Sequence, residues 1–250
     1  MKTLLFTILT SLAAMALPAT AQDNQARVVS VSTETDGQPD ENSFYSPDVP
    51  EASDYAQGPE ADPSVTADFE KRDLLPQSDV PQWKWAEMRA WGPTARKYPE
   101  VRVPKGKDPV TWKRARVLAV AKRYIGLLYR HHHIPGWEPT PGINKKTGRG
   151  LDCSNFTSWV YNYGLGIKFN SDIAKQADGL LAPGRRLEPD EPLAPGDLLF
   201  ILINDRSRVS HVVIYIDKDH IIDSTGTHVS VRNFRGWYKT HFSHARRIIE

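Results

Sequence analysis

The chain of 250 residues is 40% hydrophobic, enough for one sizeable core plus extensions, and no stretch reaches the roughly 20 consecutive apolar residues of a membrane span. A single cysteine rules out a disulfide framework within the chain. The net charge of +2 hides an asymmetry: residues 22–73 carry thirteen acids against three bases, leaving about +11 on residues 74–250.

Lys2, the apolar run over 4–17 and Pro18-Ala19-Thr20-Ala21 predict a secretory signal over residues 1–21, cleaved before Gln22. The mature chain is expected to be secreted or periplasmic. No cysteine follows the signal directly, so no stable membrane anchor is expected. Residues 22–79, rich in Asp, Glu, Ser and Pro, predict an acidic disordered linker. Residues 80–107 form a Trp/Pro-rich arm in which Trp83, Trp85 and Trp91 are expected to be buried against the domain that follows. A basic domain behind an acidic tail suits an anionic polymer such as a cell-wall glycan. Nucleic acid is discounted because of the export signal and the lack of a nucleic-acid-binding motif.

The remaining domain, 108–250, opens with a helix capped by Asp108, with Pro109 in its first turn and Trp112, Val117, Leu118, Val120, Ala121, Tyr124 and Ile125 on its apolar side. It ends near Gly126. His131, His132 and His133 follow in a loop; contiguous histidines rarely converge on one ion without further ligands, so a metal site is not expected there.

Phe156, Val160 and Gly164 recur at helical spacing after Gly148 and Gly150, which places Cys153 in the first turn of a helix. Unpaired amides and the helix dipole there favour a thiolate, the form a nucleophile needs. The competing reading is a small buried core thiol. A lone thiol is unusual in an exported protein, where cysteines are paired, and this favours the nucleophile.

Ser171 is expected to cap a short helix through Ala177, ended by Gly179. Short β-rich runs then follow at 187–193, 198–203, 209–216, 220–224, 229–231 and 245–249. Helices first and strands after predict an α+β domain with an antiparallel sheet. If Asp217-Lys218-Asp219 is a three-residue turn, Ile216 pairs with His220 and Val213 with Asp223. His211 and Asp223 then become diagonal neighbours on one face, within hydrogen-bonding reach. The alternative is that His211 merely starts a strand and Asp223 caps a turn. His220, His228, His241 and His244 read as surface positions.

Tyr129, Asp152-Cys153-Ser154 opening a helix, Pro195-Gly196-Asp197-Leu198 leading into a strand, and His211-Val212-Val213-Ile214-Tyr215 with Asp223 beyond it resemble one known family. Over about 108–249 the chain is similar to the NlpC family of papain-like bacterial cell-wall cysteine peptidases. The resemblance implies a papain-like fold and hydrolysis of peptidoglycan stem peptides, commonly between D-glutamate and diaminopimelate, without a cofactor. It implies Cys153 as nucleophile, His211 as general base and acid, and Asp223 as its orienter. Tyr129 would line the site beside the oxyanion, and Asp152 and Ser154 would flank the substrate, with Asp152 pairing to a stem-peptide amine. The sequence departs from the family pattern at Asp223, where histidine is commoner; at Asn155, where a small residue is common; and at His131–His133, where a glycine pair is usual. Competing readings are an amidase cutting at L-alanine, an acyltransferase, a non-catalytic wall-binding module and a zinc protein.

Overall fold

The computed structural model describes residues 62–88, 92–138 and 149–250. The expected signal segment, residues 22–61 of the expected linker and Trp91 lie outside the described residues. All described residues belong to one compact unit, Thr35–Glu250.

The chain before the domain differs from expectation. Residues 62–79 are not a disordered linker: they form a 3-10 turn, Pro63–Val65, and a short helix α1, Phe69–Asp73, with Val65 and Phe69 buried. Local acidity hid this, because the cations that neutralise the acids lie far along the chain. Arg116, itself buried, reaches the carbonyls of Val65 and Gly164 at 2.6 Å each and Asp68 at 2.6 Å. Arg72 bonds the carbonyls of Tyr163 and Pro99, and Arg123 pairs with Asp73. In the arm, the 3-10 helix Gln82–Glu87 leaves Trp83 exposed, contrary to expectation, whereas Trp85 packs on the core and donates to the Val80 carbonyl at 2.9 Å.

Helix α2, Pro109–Arg123, begins as its sequence dictates, with the Asp108 carboxylate accepting from the Thr111 amide at 2.8 Å and Pro109 where no amide is needed. Its buried face packs on α3, Cys153–Leu165, in which every residue but Ser158 is buried. A helix buried nearly all round lies in the middle of a domain, and α3, whose buried Ser154, Asn155, Thr157 and Asn162 all find hydrogen-bond partners, is the core element here. It stops at Gly166, whose φ of 76° is a left-handed conformation. A Cβ there would also strike the backbone of Glu100, so only glycine serves. Helix α4, Ile173–Ala177, is capped by Asp172 instead of the expected Ser171: the Asp172 carboxylate accepts from the Ala174 and Lys175 amides at 2.9 and 3.3 Å.

The sheet comprises β1 Arg185–Arg186, β2 Leu198–Leu202, β3 Val209–Tyr215, β4 His220–Thr225, β5 His228–Asn233 and β6 Phe242–Arg247. It is antiparallel, in the order β1-β6-β2-β3-β4-β5. The strand expected over 187–193 is absent; the short β1 precedes it, because Arg185 and Arg186 are the residues that pair with β6. Along each strand alternate residues go to opposite faces. Leu198, Phe200, Val212, Ile214 and Ile222 pack with Phe156 and Val160 of α3. Leu199, Ile201, Val213 and Ile221 pack with Phe234 and with Tyr238 of a further short helix, α5, Trp237–Thr240, which the sequence pattern did not reveal. The result is α+β, with helices on an antiparallel sheet covered on both faces.

Replacing Arg116 by Met should lower unfolding free energy by about 3 kcal/mol, since two buried carbonyls and Asp68 lose a charged donor. Urea unfolding of the purified variant checks this. A loss under about 0.5 kcal/mol would show that the arginine strap contributes nothing to the fold.

Candidate active site

A cleft of about 570 Å³ opens at the N-terminus of α3. Tyr129, Asp152, Cys153 and Ser154 line it, and Arg208 and Ser210 border it from the start of β3. Four of the six site residues expected from the sequence therefore share one cavity, while His211 and Asp223 lie fully buried in the sheet.

Backbone pairing sets the position of the cysteine. Leu151 donates to the Leu128 carbonyl at 3.1 Å and accepts from the Arg130 amide at 3.2 Å, forming a parallel bridge with Tyr129. The hydroxyl of Ser224 on β4 donates to the same Leu151 carbonyl at 2.6 Å. Gly150 allows this approach, because a Cβ there would collide with the Leu128 carbonyl oxygen. Leu151, two residues before Cys153, is thus clamped between the Tyr129 loop and the sheet.

Asp152 then starts the helix. Its carboxylate accepts from the Asn155 amide at 2.8 Å, the Asn155 side-chain amide at 2.7 Å and the Ser154 hydroxyl at 3.1 Å, with His131 Nδ1 at 3.4 Å. Asn155 is thereby turned on to Asp152, and a substrate amine approaching Asp152 meets a carboxylate already holding three donors. The Ser154 carbonyl is held in turn by Gln176 at 2.8 Å.

The thiol does not behave as the helix terminus suggested. Burial pushes the Cys153 thiol well above its ordinary range, and the Asp152 and Asp223 carboxylates add to this, outweighing the Val212 and Ser154 backbone amides that favour the anion. The expectation of a ready-made thiolate is corrected: desolvation shifts buried groups by several units, more than a helix terminus returns. The Val212 amide beside the sulfur is that of the residue following His211 on β3.

The β3–β4 hairpin has the expected register, Ile214 opposite Ile222 and Tyr215 opposite Ile221. It brings His211 Nε2 to 2.6 Å from Asp223 Oδ2. Opposite His211 the β2–β3 register shifts between Ile201 and Leu202, a bulge of the kind that re-aims side chains next to sites. Two further residues complete the cluster, and the sequence reading missed both. Arg232 Nε donates to Asp223 Oδ1 at 2.9 Å, and the Tyr238 hydroxyl donates to Oδ2 at 2.8 Å. Burial alone would raise the Asp223 carboxyl, but the Arg232 guanidinium, His211 and Tyr238 together hold it below the usual carboxylate range. With Asp223 ionised, the bond at His211 Nε2 is donated by the ring, and Nδ1 is buried without a hydrogen-bond partner. Arg232 was within reach of sequence reasoning, since it lies two residues beyond Ser230, the partner of Asp223. Tyr238 left no periodic signal.

Among the other histidines, His244 is buried, stacked on Phe200 with Nε2 at 3.0 Å from the Ala177 carbonyl, and is not the surface position expected. His132 is buried against Trp137, and His133 Nδ1 sits 3.2 Å from Ser171. Among the described residues, no three His, Cys, Asp or Glu side chains converge as a metal site. No helix among them is long and apolar enough to cross a membrane.

Residues 142–247 match the NlpC/P60 family. Among solved structures, the chain is similar to an NlpC/P60 family protein from Bacillus cereus, with 24% identity over 54% of this chain and 39% of that one and a TM-score of 0.42. A Staphylococcus aureus protein described as similar to lipoprotein, of the NLP/P60 family, is 22% identical over 62% of this chain and 46% of its own, with a TM-score of 0.41. The peptidoglycan hydrolase RipB from Mycobacterium tuberculosis is 19% identical over 82% and 92%, with a TM-score of 0.45. The chain spans less than half the length of the first two. A search of curated proteins returned no match.

Since the folded protein holds the thiol protonated, alkylation of Cys153 by iodoacetamide should climb with pH past about 8.5 and show no plateau between about pH 5 and 7. Mass-spectrometric alkylation rates on the sole cysteine check this. An acid-side plateau would reveal a preformed thiolate–imidazolium pair instead.

Proposed function

We propose, from the premise that the domain spanned by residues 142–247 belongs to the NlpC/P60 family, that this chain is an exported cysteine hydrolase of peptidoglycan stem peptides. Its papain-like arrangement uses Cys153 as nucleophile, His211 as general base and then acid, and Asp223 as orienter. The observation that carries the reading is the fully hydrogen-bonded Asp223 holding His211 Nε2 at 2.6 Å while the buried Nδ1 has no partner. A buried imidazole in a fixed tautomer is what a protonated thiol needs beside it.

As sulfur attacks the scissile carbonyl, His211 Nδ1 takes the thiol proton, and the imidazolium so formed is stabilised by Asp223. The Cys153 backbone amide, in the first turn of α3, and the Tyr129 hydroxyl across the cleft stabilise the oxyanion. His211 then protonates the leaving amine, and water, deprotonated by the same nitrogen, releases the acyl-enzyme. The bond proposed is that between D-glutamate and diaminopimelate, and the place of action is outside the cytoplasmic membrane after removal of residues 1–21.

Mass spectrometry of defined muropeptides incubated with the protein from Gln22, beside Cys153→Ala, tests this. A cut after D-glutamate that vanishes in Cys153→Ala is expected, and His211→Ala should lower kcat/KM by about 10²–10⁴-fold. A cut at L-alanine would make the enzyme an amidase, and a new amide between two stem peptides an acyltransferase. No cut by either protein would leave a wall-binding module.

A further inference from the structure

We propose that Arg232 is a positioning residue for His211, acting through Asp223 as the counter-charge that lets a buried carboxylate serve as the orienting member of the set. The proposal rests on the cysteine-hydrolase reading. Arg232 stands on β5 opposite Ile221, so its side chain shares a face with Asp223 across the β4–β5 ladder. Its Nε lies 2.9 Å from Asp223 Oδ1, and Nη2 reaches the Thr225 carbonyl at 3.3 Å, which fixes the guanidinium at two points. The Arg232 side chain is 8% exposed, and those of Asp223 and His211 are at 0%.

A carboxylate is a demanding choice for this position. An amide or a second imidazole would orient His211 without carrying charge. Without its cation the carboxylate would keep two donors, His211 Nε2 and the Tyr238 hydroxyl, and an uncompensated buried negative charge. That charge opposes ionisation of the Cys153 thiol, whose proton His211 must take. Arg232 cancels it: the carboxylate stays ionised and keeps its bond to Nε2, while the Asp223–Arg232 pair is neutral towards Cys153. The Tyr238 hydroxyl occupies the remaining lone pair of Oδ2.

The other charged or titratable groups around the cluster are few. From α3 and its cap come Cys153 and Asp152, the latter holding Ser154 and Asn155. Asp172 at the start of α4 accepts from the Ala174 and Lys175 amides, Lys175 is exposed, and Arg208 borders the cleft. β2, on the other side of β3, is Leu-Leu-Phe-Ile-Leu and contributes none. Arg232 is the cation in direct contact with Asp223.

The test is a charge ladder read by iodoacetamide alkylation of Cys153 at pH 8, which requires no substrate and has one thiol to label. Net charge at the Asp223–Arg232 pair is zero in the wild type, negative in Arg232→Met, positive in Asp223→Asn, and zero again in the double variant. The expected order of rates is Asp223→Asn fastest, wild type and double variant alike, and Arg232→Met about tenfold slower, one unit of thiol pKa being tenfold in thiolate. Arg232→Lys, which returns the charge, recovers most of the loss. Loosened packing would expose the thiol and speed alkylation in Arg232→Met, so a slower rate cannot come from misfolding. Arg232→Met as fast as wild type, or a double variant as slow as Arg232→Met, overturns the proposal. With muropeptide, Arg232→Met should lower kcat about tenfold with KM little changed. If the wild type cuts no muropeptide, the hydrolase reading fails, while the alkylation ladder still decides the role of Arg232.

Discussion

A carboxylate with no exposed surface in the middle of a sheet must have its lone pairs filled, and Asp223 meets that requirement with donors from three other elements. His211 comes from β3, Arg232 from β5 and Tyr238 from α5. A one-residue slip of β3 against β4 would send Asp223 to the face that packs on α3 and strand the guanidinium. Breaking such a buried pair by removing one partner costs on the order of 3–5 kcal/mol. The hydrogen bonds therefore specify register as well as chemistry, and the hairpin cannot fold into the sheet without building the histidine's environment.

The same kind of constraint governs the other end of α3. Its last carbonyls are taken by arginines from outside the helix: Arg116 of α2 bonds the Gly164 carbonyl, and Arg72 bonds that of Tyr163. Those two side chains also hold Asp68, so the segment before the domain is drawn on to the C-terminal end of the central helix. At its N-terminal end α3 is set by the Leu151 bridges and the Asp152 cap. A helix tied at both ends to different parts of the chain holds the sulfur of Cys153 in one place, which is what the proposed role as nucleophile would require.

Electrostatics at the sulfur run against a simple picture of a helix-terminus thiolate. The dipole and first-turn amides contribute about 0.3–2 kcal/mol, and full burial beside the Asp152 and Asp223 carboxylates outweighs them, pushing the Cys153 thiol up. Under the proposed mechanism, proton transfer to His211 accompanies attack, and the orientation of the imidazole by the Asp223 cluster is the control on reactivity.

Much of this was legible in order and spacing. Asp108 and Pro109 define the start of α2, the glycine-then-apolar pattern around Cys153 defines α3, and the turn length between Ile216 and His220 places His211 and Asp223 on one face; these depend on neighbours close in the chain. What only the tertiary structure decided involves partners far apart in sequence. The acids of 62–79 read as a solvated tail because Arg116 and Arg123 lie about fifty residues away. His244 read as a surface residue until β6 placed it on Phe200. The protonation of Cys153 depends on how much water the fold removes from the sulfur, and no local pattern records that. Arg232 lies between the two cases: pairing arithmetic puts it on the face of Asp223, but only the tertiary structure buries its charge against that carboxylate.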